Sequence, residues 1–540
     1  MVLGMVAGAL SALAIAFILN FCVNFYNHRR WFRGLPQPPH SFLWGHLKIM
    51  GEAAAAAPPD CHPQVYLTSI AQKYKLKGVF YIDLWPISTP MVVLIDPAVM
   101  TQVQVTQVLP MHPMSEDFMK PIVGPDNIAS SNGAVWKLVH NSITPAFSWS
   151  HIRNLSAVVI DECDTFRSRL DMLAETEKTF SMETVGSQLI FDVIARIVYS
   201  FSLNAQGTGS QDLEDLRGMV KLAHVQLSWN PIAKFKAIFS RRALHRRLGV
   251  SVSTQIQQRL KVLTDDQIVP HRKNPHSILD LMLREHLEQE DLVGNKKNST
   301  ELSPEYMKIL ITNIKALLLG GQGTTSDTLC YIYMLLSKSP EVVAKLREEH
   351  TRVFAPSFNE TIDILQTKPS KLDELDYTTA VIRETLRLFP IGFGVRQAAD
   401  GATVAWNSTK YPIDNGIAVV SNAHSLHYDP EYFPSASTFN PERFIDPATA
   451  VHAKNNMWTF YRGPRACLGQ NLAVDELRII LLETIRDYEF ECVNLQPNEK
   501  QKVAWSDLDE TFGDICFQKI GLGAQVRDGM IMRVKKVGTN

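Results

Sequence analysis

The sequence predicts a mainly helical chain with small β-sheets, preceded by one apolar N-terminal helix that crosses a membrane. Three observations predict it. Residues 2 to 27 carry no charged side chain. The middle of the chain is dominated by apolar residues spaced for one helix face, as in FSMETVGSQLIFDVIARIVYSF (180–201) and LEDLRGMVKLAHVQL (213–227). Strand-like runs are short and few, chiefly VFYIDLW (79–85) and MVVLID (91–96), paired around a proline-containing turn.

In chain order, residues 1–27 read as a transmembrane anchor, because roughly 20 apolar residues span a hydrocarbon core. Arg29, Arg30 and Arg33 follow, with Trp31 and Phe32 between them, and the first acidic residue is Glu52. That bias keeps the flank and everything behind it in the cytoplasm. A cleaved signal peptide fits less well, since the run is long and has no basic leader. Residues 28–59 read as a basic and proline-rich hinge: LPQPPH (35–40) is stiff, and AAAAAPP (53–59) is expected as a loop. With no repeat, linker or charge block beyond it, 60–540 reads as one large catalytic unit. The sequons at Asn154, Asn298, Asn359 and Asn407 would carry no glycan in the cytosol.

Composition excludes several classes. With 54 basic and 55 acidic residues, no basic excess points to nucleic acid. The seven cysteines are an odd number, widely spaced, with no C-x-x-C pair, so zinc ribbons and disulfide frameworks are disfavoured and a reducing compartment is indicated. The basic segment from Arg241 to Arg247 is read as a solvated face.

Ser303-Pro304 marks the start of a long helix, EYMKILITNIKALLLGGQGTTSDTLCYIYMLLSKS. Gly320, Gly321 and Gly323 interrupt it, each costing about 1 kcal/mol against alanine. Glycine here implies that something approaches the helix backbone closely. GGQGTT lacks the lysine and strand context of a phosphate-binding loop, so a nucleotide-binding enzyme is disfavoured.

The most specific signal is FYRGPRACLG (460–469), which places Cys467 in a stiffened loop with Arg465 beside it and an apolar-periodic helix behind it. A thiolate is a proximal ligand of haem iron and favours O–O cleavage. A helix N-terminus and Arg465 are expected to lower the thiol pKa. Phe460, Gly463, Arg465, Cys467 and Gly469 meet the ordered pattern F-x-x-G-x-R-x-C-x-G.

This loop resembles the haem-binding loop of the cytochrome P-450 haem–thiolate monooxygenases, and its surroundings resemble microsomal filamentous-fungal members. ETLR supplies Glu384 and Arg387, and FNPERF supplies Arg443, resembling the family's Glu–Arg–Arg network; the glycine-thinned helix resembles the helix over the haem. The resemblance covers nearly the whole chain. It implies the P-450 fold for 60–540, haem b with Cys467 as axial thiolate, and Trp136, His140, Arg396 and Arg465 at the haem propionates. His140 stands where the family has arginine.

It further implies NADPH electrons through a separate membrane-bound reductase, with cytochrome b5 as an optional second donor. The expected reaction is oxygen insertion into a small apolar molecule of fungal secondary metabolism, by a monomer at the endoplasmic reticulum with its body in the cytosol. Pocket segments placed by resemblance are 110–130, 220–230, Leu318–Gly321, Phe393–Val395 and 511–517. On the distal helix Thr324 supplies the alcohol, with Thr325 and Gln322 beside it, but the acidic position is Gly323. Proton delivery must then use water, Gln322 or a group from elsewhere, and Asp327 is not assigned the role. The alternatives are an oxidative cyclisation, desaturation or rearrangement less dependent on that acid, and, more remotely, a non-enzymatic haem-binding membrane protein.

Overall fold

The uncharged N-terminal run folds as helix α1, Val2–Trp31, in the computed structural model of the chain, which describes residues 2–225, 230–293 and 302–538. Within it Leu10–Trp31 is long and apolar enough to cross a membrane, and its apolar part is not covered by protein. The helix does not stop at Asn27. It runs on through the basic flank, where Arg29 is 2 % exposed and Phe32 is fully buried.

The stretch expected as a hinge is pinned to the body. Arg29 pairs with the buried Asp83 carboxylate and donates to the carbonyls of Phe42 (3.1 Å), Leu43 (3.2 Å) and Trp85 (2.9 Å). His28 and His40 each lie 2.9 Å from Asp83. Gly45, at φ +56°, passes so close that a Cβ there would sit 2.6 Å from both Arg29 and the Asp83 carbonyl. The alanine tract expected as a loop is instead the end of helix α2, Leu47–Ala56, which stops just before Pro58. Alanine is the strongest helix former, and that propensity decides here.

Helix α3, Pro63–Lys73, leads to β1, Val79–Ile82, and β2, Met91–Leu94, which pair antiparallel around the proline-containing turn, as expected. Late strands complete their sheet: β4, Val395–Gln397, and β5, Ala418–Ser421, give the order β1-β2-β5-β4, with β2 and β5 parallel. A smaller sheet joins β3, Phe180–Ser181, β9, Ile531–Lys536, and β6, Tyr488–Cys492, and a hairpin joins β7, Lys519–Ile520, to β8, Ala524–Gln525.

A further antiparallel pair joins Thr403–Trp406 to Thr409–Pro412, and the principal helices are α4 Gly133–Ile143, α5 Ser156–Thr176, α6 Met182–Tyr199, α7 Gln211–Val225, α8 Pro231–Asp265, α9 Ile278–Val293, α10 Pro304–Leu336, α11 Asp376–Leu388 and α12 Gln470–Thr484. The mainly helical architecture with small sheets is thus the observed one. α10 starts where Ser303 caps it by accepting from Tyr306 N, with Pro304 in the first turn. It runs through the main core, packed on α6. Gly321 allows that approach, since a Cβ there would lie 2.7 Å from Ile194 Cγ1 of α6. Further along, Tyr331 stacks on Phe389 at 4.0 Å between ring centres, and the Tyr333 hydroxyl meets Thr484 of α12 at 2.7 Å.

Candidate active site

The cysteine loop is built by backbone constraints. Tyr461 and Gly463 both hold left-handed φ, 57° and 75°. Gly463 is required there, because a Cβ would lie 2.3 Å from the Gln104 carbonyl. Gly463–Arg465 forms one tight turn, and Cys467 N–H donates to the Phe460 carbonyl at 3.0 Å. Gly469 then caps α12, so the Cys467 sulfur sits at a helix N-terminus and accepts from the backbone N–H groups of Gly469 and Gln470.

The expected pKa is corrected in one respect. Desolvation by the surrounding protein pushes the Cys467 thiol up, and the two N–H groups only partly offset it. Arg465 contributes nothing to that shift, because it turns away. It donates to Ser131 O at 2.9 Å and to Asn132 Oδ1 at 3.1 Å, with its guanidinium carbon 4.0 Å over the Trp136 ring. Cys467 is nonetheless an exposed residue. A bound metal deprotonates a coordinating thiol outright.

Trp136 and His140 share a face of α4, with ring centres 4.5 Å apart. Arg396 lies on β4, buried, with Met111 Sδ at 2.8 Å. Burial pulls both guanidiniums down, Arg465 to about 10, and Arg396 depresses Arg465 further. Among the described residues no carboxylate pairs with either. Two crowded, half-desolvated cations without an acid are a site that wants an anion. This set fits a haem: a sulfur donor at a helix N-terminus, and the cations Arg396 and Arg465, free of carboxylate partners among the described residues, for its anionic groups.

Behind the loop lies a buried network. The Glu384 carboxylate accepts from Arg387 Nε (2.7 Å) and Nη2 (2.8 Å), from Arg443 Nε (3.0 Å) and from Asn440 N (2.9 Å). Arg387 also donates to the carbonyls of His427 (2.9 Å) and Ala436 (2.7 Å). His427, which nothing in its local sequence marks, relays this network to the loop: one ring nitrogen meets Arg387 O at 3.1 Å and the other accepts from Trp458 N at 3.1 Å. Gln104 and Tyr461 were equally silent. Gln104 Oε1 accepts from Arg462 N at 3.1 Å, and the Tyr461 hydroxyl accepts from Gly394 N at 2.6 Å.

On α10, Gly320 and Thr324 share an exposed face, and Thr324 Oγ1 donates to Gly320 O at 3.0 Å. A Cβ at Gly320 or Gly323 would meet nothing within 4 Å. The structure does not bring Gln322 or Thr325 to that face. Both are buried, and Gln322 Nε2 donates to Ser187 Oγ of α6 at 2.7 Å. One residue shifts the helical direction by about 100°, which separates them from Thr324. Of the segments placed by resemblance as pocket lining, 226–229 lie outside the described residues, as does the sequon at Asn298.

The sequence model of the family described as Cytochrome P450 matches residues 36–508. The chain is 29% identical to cytochrome P450 monooxygenase acrF of Aspergillus aculeatus over 88% of this chain and 98% of that protein. It is 27% identical to cytochrome P450 monooxygenase polC of Polytolypa hystricis, covering 89% and 86%. It is 25% identical to cytochrome P450 monooxygenase ptmJ of Penicillium ochrochloron, covering 97% and 96%.

Proposed function

The chain belongs to the cytochrome P450 family and is an oxidoreductase of the monooxygenase type, and from that premise we propose that it oxygenates a small, largely apolar organic molecule in fungal secondary metabolism. The family's cofactor is haem b on a cysteine thiolate, fed by electrons from a reductase. Bound here, haem would activate O2 and insert one oxygen atom into a C–H bond.

The residues then divide the work. Cys467 supplies the thiolate, held by the N–H groups of Gly469 and Gln470. Arg396, Arg465, Trp136 and His140 hold the propionates. Phe460, Gly463 and Gly469 shape the loop, and Glu384, Arg387 and Arg443 brace it through His427. Thr324 presents its hydroxyl on the exposed face of α10 to position water. The observation that carries the reading is the Cys467 loop with the buried Arg396 and the half-buried Arg465, neither of which has an acid partner among the described residues.

α1 with the exposed Arg30 and Arg33 supports a single-pass anchor in the endoplasmic reticulum with the body in the cytosol. An NADPH–cytochrome reductase in that membrane is the electron donor, with cytochrome b5 as a second. Glycine at 323 favours a second reading: a cyclisation, desaturation or rearrangement on the same site, less dependent on an acid.

The test is turnover of the full chain with NADPH and a fungal reductase under ¹⁸O₂ against a panel of small apolar polyketides, terpenoids and alkaloids. A product one labelled oxygen heavier supports insertion. A product that has lost two hydrogens without label supports the second reading. NADPH consumption that no panel member stimulates would count against both.

A further inference from the structure

The body presses against α1 before that helix leaves its apolar run. Trp85 stacks on Phe21 at 5.5 Å between ring centres, and Phe42 meets Phe25 edge-on at 5.4 Å. Phe21 lies eight residues before Arg29, which is about 12 Å along a helix that rises about 1.5 Å per residue. A ring that touches Phe21 shares its depth. Where the apolar run enters lipid, the two turns that carry Phe42 and Trp85 reach the lipid boundary with it.

Both turns suit that medium. Phe42, Leu43, Trp44 and Ile87 are each more than half exposed, a grouping of large apolar side chains that marks an interaction surface. The backbones beneath them are closed from within the protein. Arg29 donates to the carbonyls of Phe42, Leu43 and Trp85. Trp44 N–H donates to Ser41 Oγ at 3.2 Å, and Trp44 O accepts from Leu47 N at 3.0 Å. Trp85 N–H donates to Asp83 Oδ1 at 3.2 Å, and Ile87 N–H donates to Leu84 O at 3.0 Å. Water serves the backbone of an ordinary surface turn, but at the edge of hydrocarbon the protein must serve it. The buried Asp83 carboxylate neutralises the one arginine that serves both turns.

The charges beside the turns complement a phospholipid surface. Arg30, Arg33 and Lys48 are exposed. Glu52, the first acidic residue of the chain, is matched by Lys73 at 3.5 Å. Exposed cations next to aromatic side chains are the composition of a membrane–water boundary.

We propose that residues 42–44 and 85–87 form an apolar collar around α1 that sinks into the headgroup boundary of a bilayer and seats the body on it at a fixed angle. The inference rests on the reading of α1 as a membrane anchor given above. Arg29 and Asp83 hold both turns against α1, so helix and collar enter the membrane as one unit. A flexible hinge would leave the body free to tumble on its tether, and this arrangement removes that freedom.

The experiment places the full chain in vesicles of phosphatidylcholine and phosphatidylserine. It reads the tryptophan emission of wild type minus Trp44→Phe, which isolates Trp44. Lipids brominated near the glycerol end of their chains should remove most of that difference signal, and aqueous acrylamide should remove little. Ile87→Trp puts a probe on the second turn, and its added emission should behave the same way. Both substitutions are at exposed positions, so the fold survives them. Quenching by acrylamide and not by the brominated lipid would put the turns in water and overturn the proposal. Resistance to both quenchers would mark protein, such as a second copy of the chain, as the occupant, and would overturn it equally. Alkaline carbonate extraction of the same vesicles separates the two readings. A chain that stays with the membrane while Trp44 is quenched from water contradicts the collar alone. A chain released by carbonate contradicts the anchor and the collar together.

Discussion

At Cys467 two electrostatic influences oppose each other. Desolvation raises the thiol pKa, and the N–H groups of Gly469 and Gln470 lower it less than burial raises it. Haem loading must therefore release the thiol proton, so apparent haem affinity should rise as pH increases from about 6 to about 9. Titration of the apoprotein with haemin across that range checks this, and a pH-independent affinity would contradict it. Arg465→Ala removes a charged partner and should weaken haem binding about 10–100-fold, since a charged hydrogen bond contributes about 1.5–3 kcal/mol. Arg465→Lys should recover little, because lysine cannot lie flat on Trp136 while donating to both Ser131 and Asn132. The Cys467 motif was legible because its constraints are local. Arg465's true partners were not, since Ser131 lies 334 residues away along the chain.

The glycines of α10 separate by role at the scale of the element. Gly321→Ala should destabilise by about 1–3 kcal/mol, because its Cβ would press on the branched Ile194 side chain. Gly320→Ala, in open space, should stabilise the fold by up to about 1 kcal/mol. Chemical unfolding of both variants tests the contrast, and equal effects would refute it. The sequence showed that glycine thinned this helix, but it could not show which glycine met a neighbour. Only the packing of α6, more than a hundred residues upstream, decides that. The Glu384–Arg387 pair was legible as a three-residue helical spacing, and the depth of its burial was not. Glu384→Ala leaves Arg387 and Arg443 uncompensated in the core and should cost about 3–5 kcal/mol. A fall in melting temperature and in haem content would report it.

For the whole molecule, the latch around Asp83 sets how the apolar N-terminal helix meets the body. Burial alone would raise the Asp83 carboxyl, but hydrogen bonds from His28, His40 and Arg29 carry it well below the ordinary carboxylate range. A depressed folded pKa stabilises fully above the unfolded value of about 4 and is lost as pH falls below it. The latch should therefore hold throughout the neutral range. Asp83→Asn should release it, seen as faster protease cleavage between residues 33 and 46 in membrane-reconstituted protein. Unchanged cleavage would argue against the latch. The proline content of 35–40 suggested a hinge, and the missing information was long-range: Asp83 lies 54 residues from Arg29. The apolar N-terminal helix, the long helix and the early strand pair were legible, because each is a periodic or uninterrupted local pattern.

Every role given to the site depends on Cys467 ligating haem iron as a thiolate. That ligation is tested most directly by the absorption spectrum of the dithionite-reduced full chain under carbon monoxide, with Cys467→Ser beside it. A strongly red-shifted Soret band is expected in the wild type and is lost in the variant. A protein that binds no haem, or whose band is unshifted and indifferent to Cys467, would contradict it.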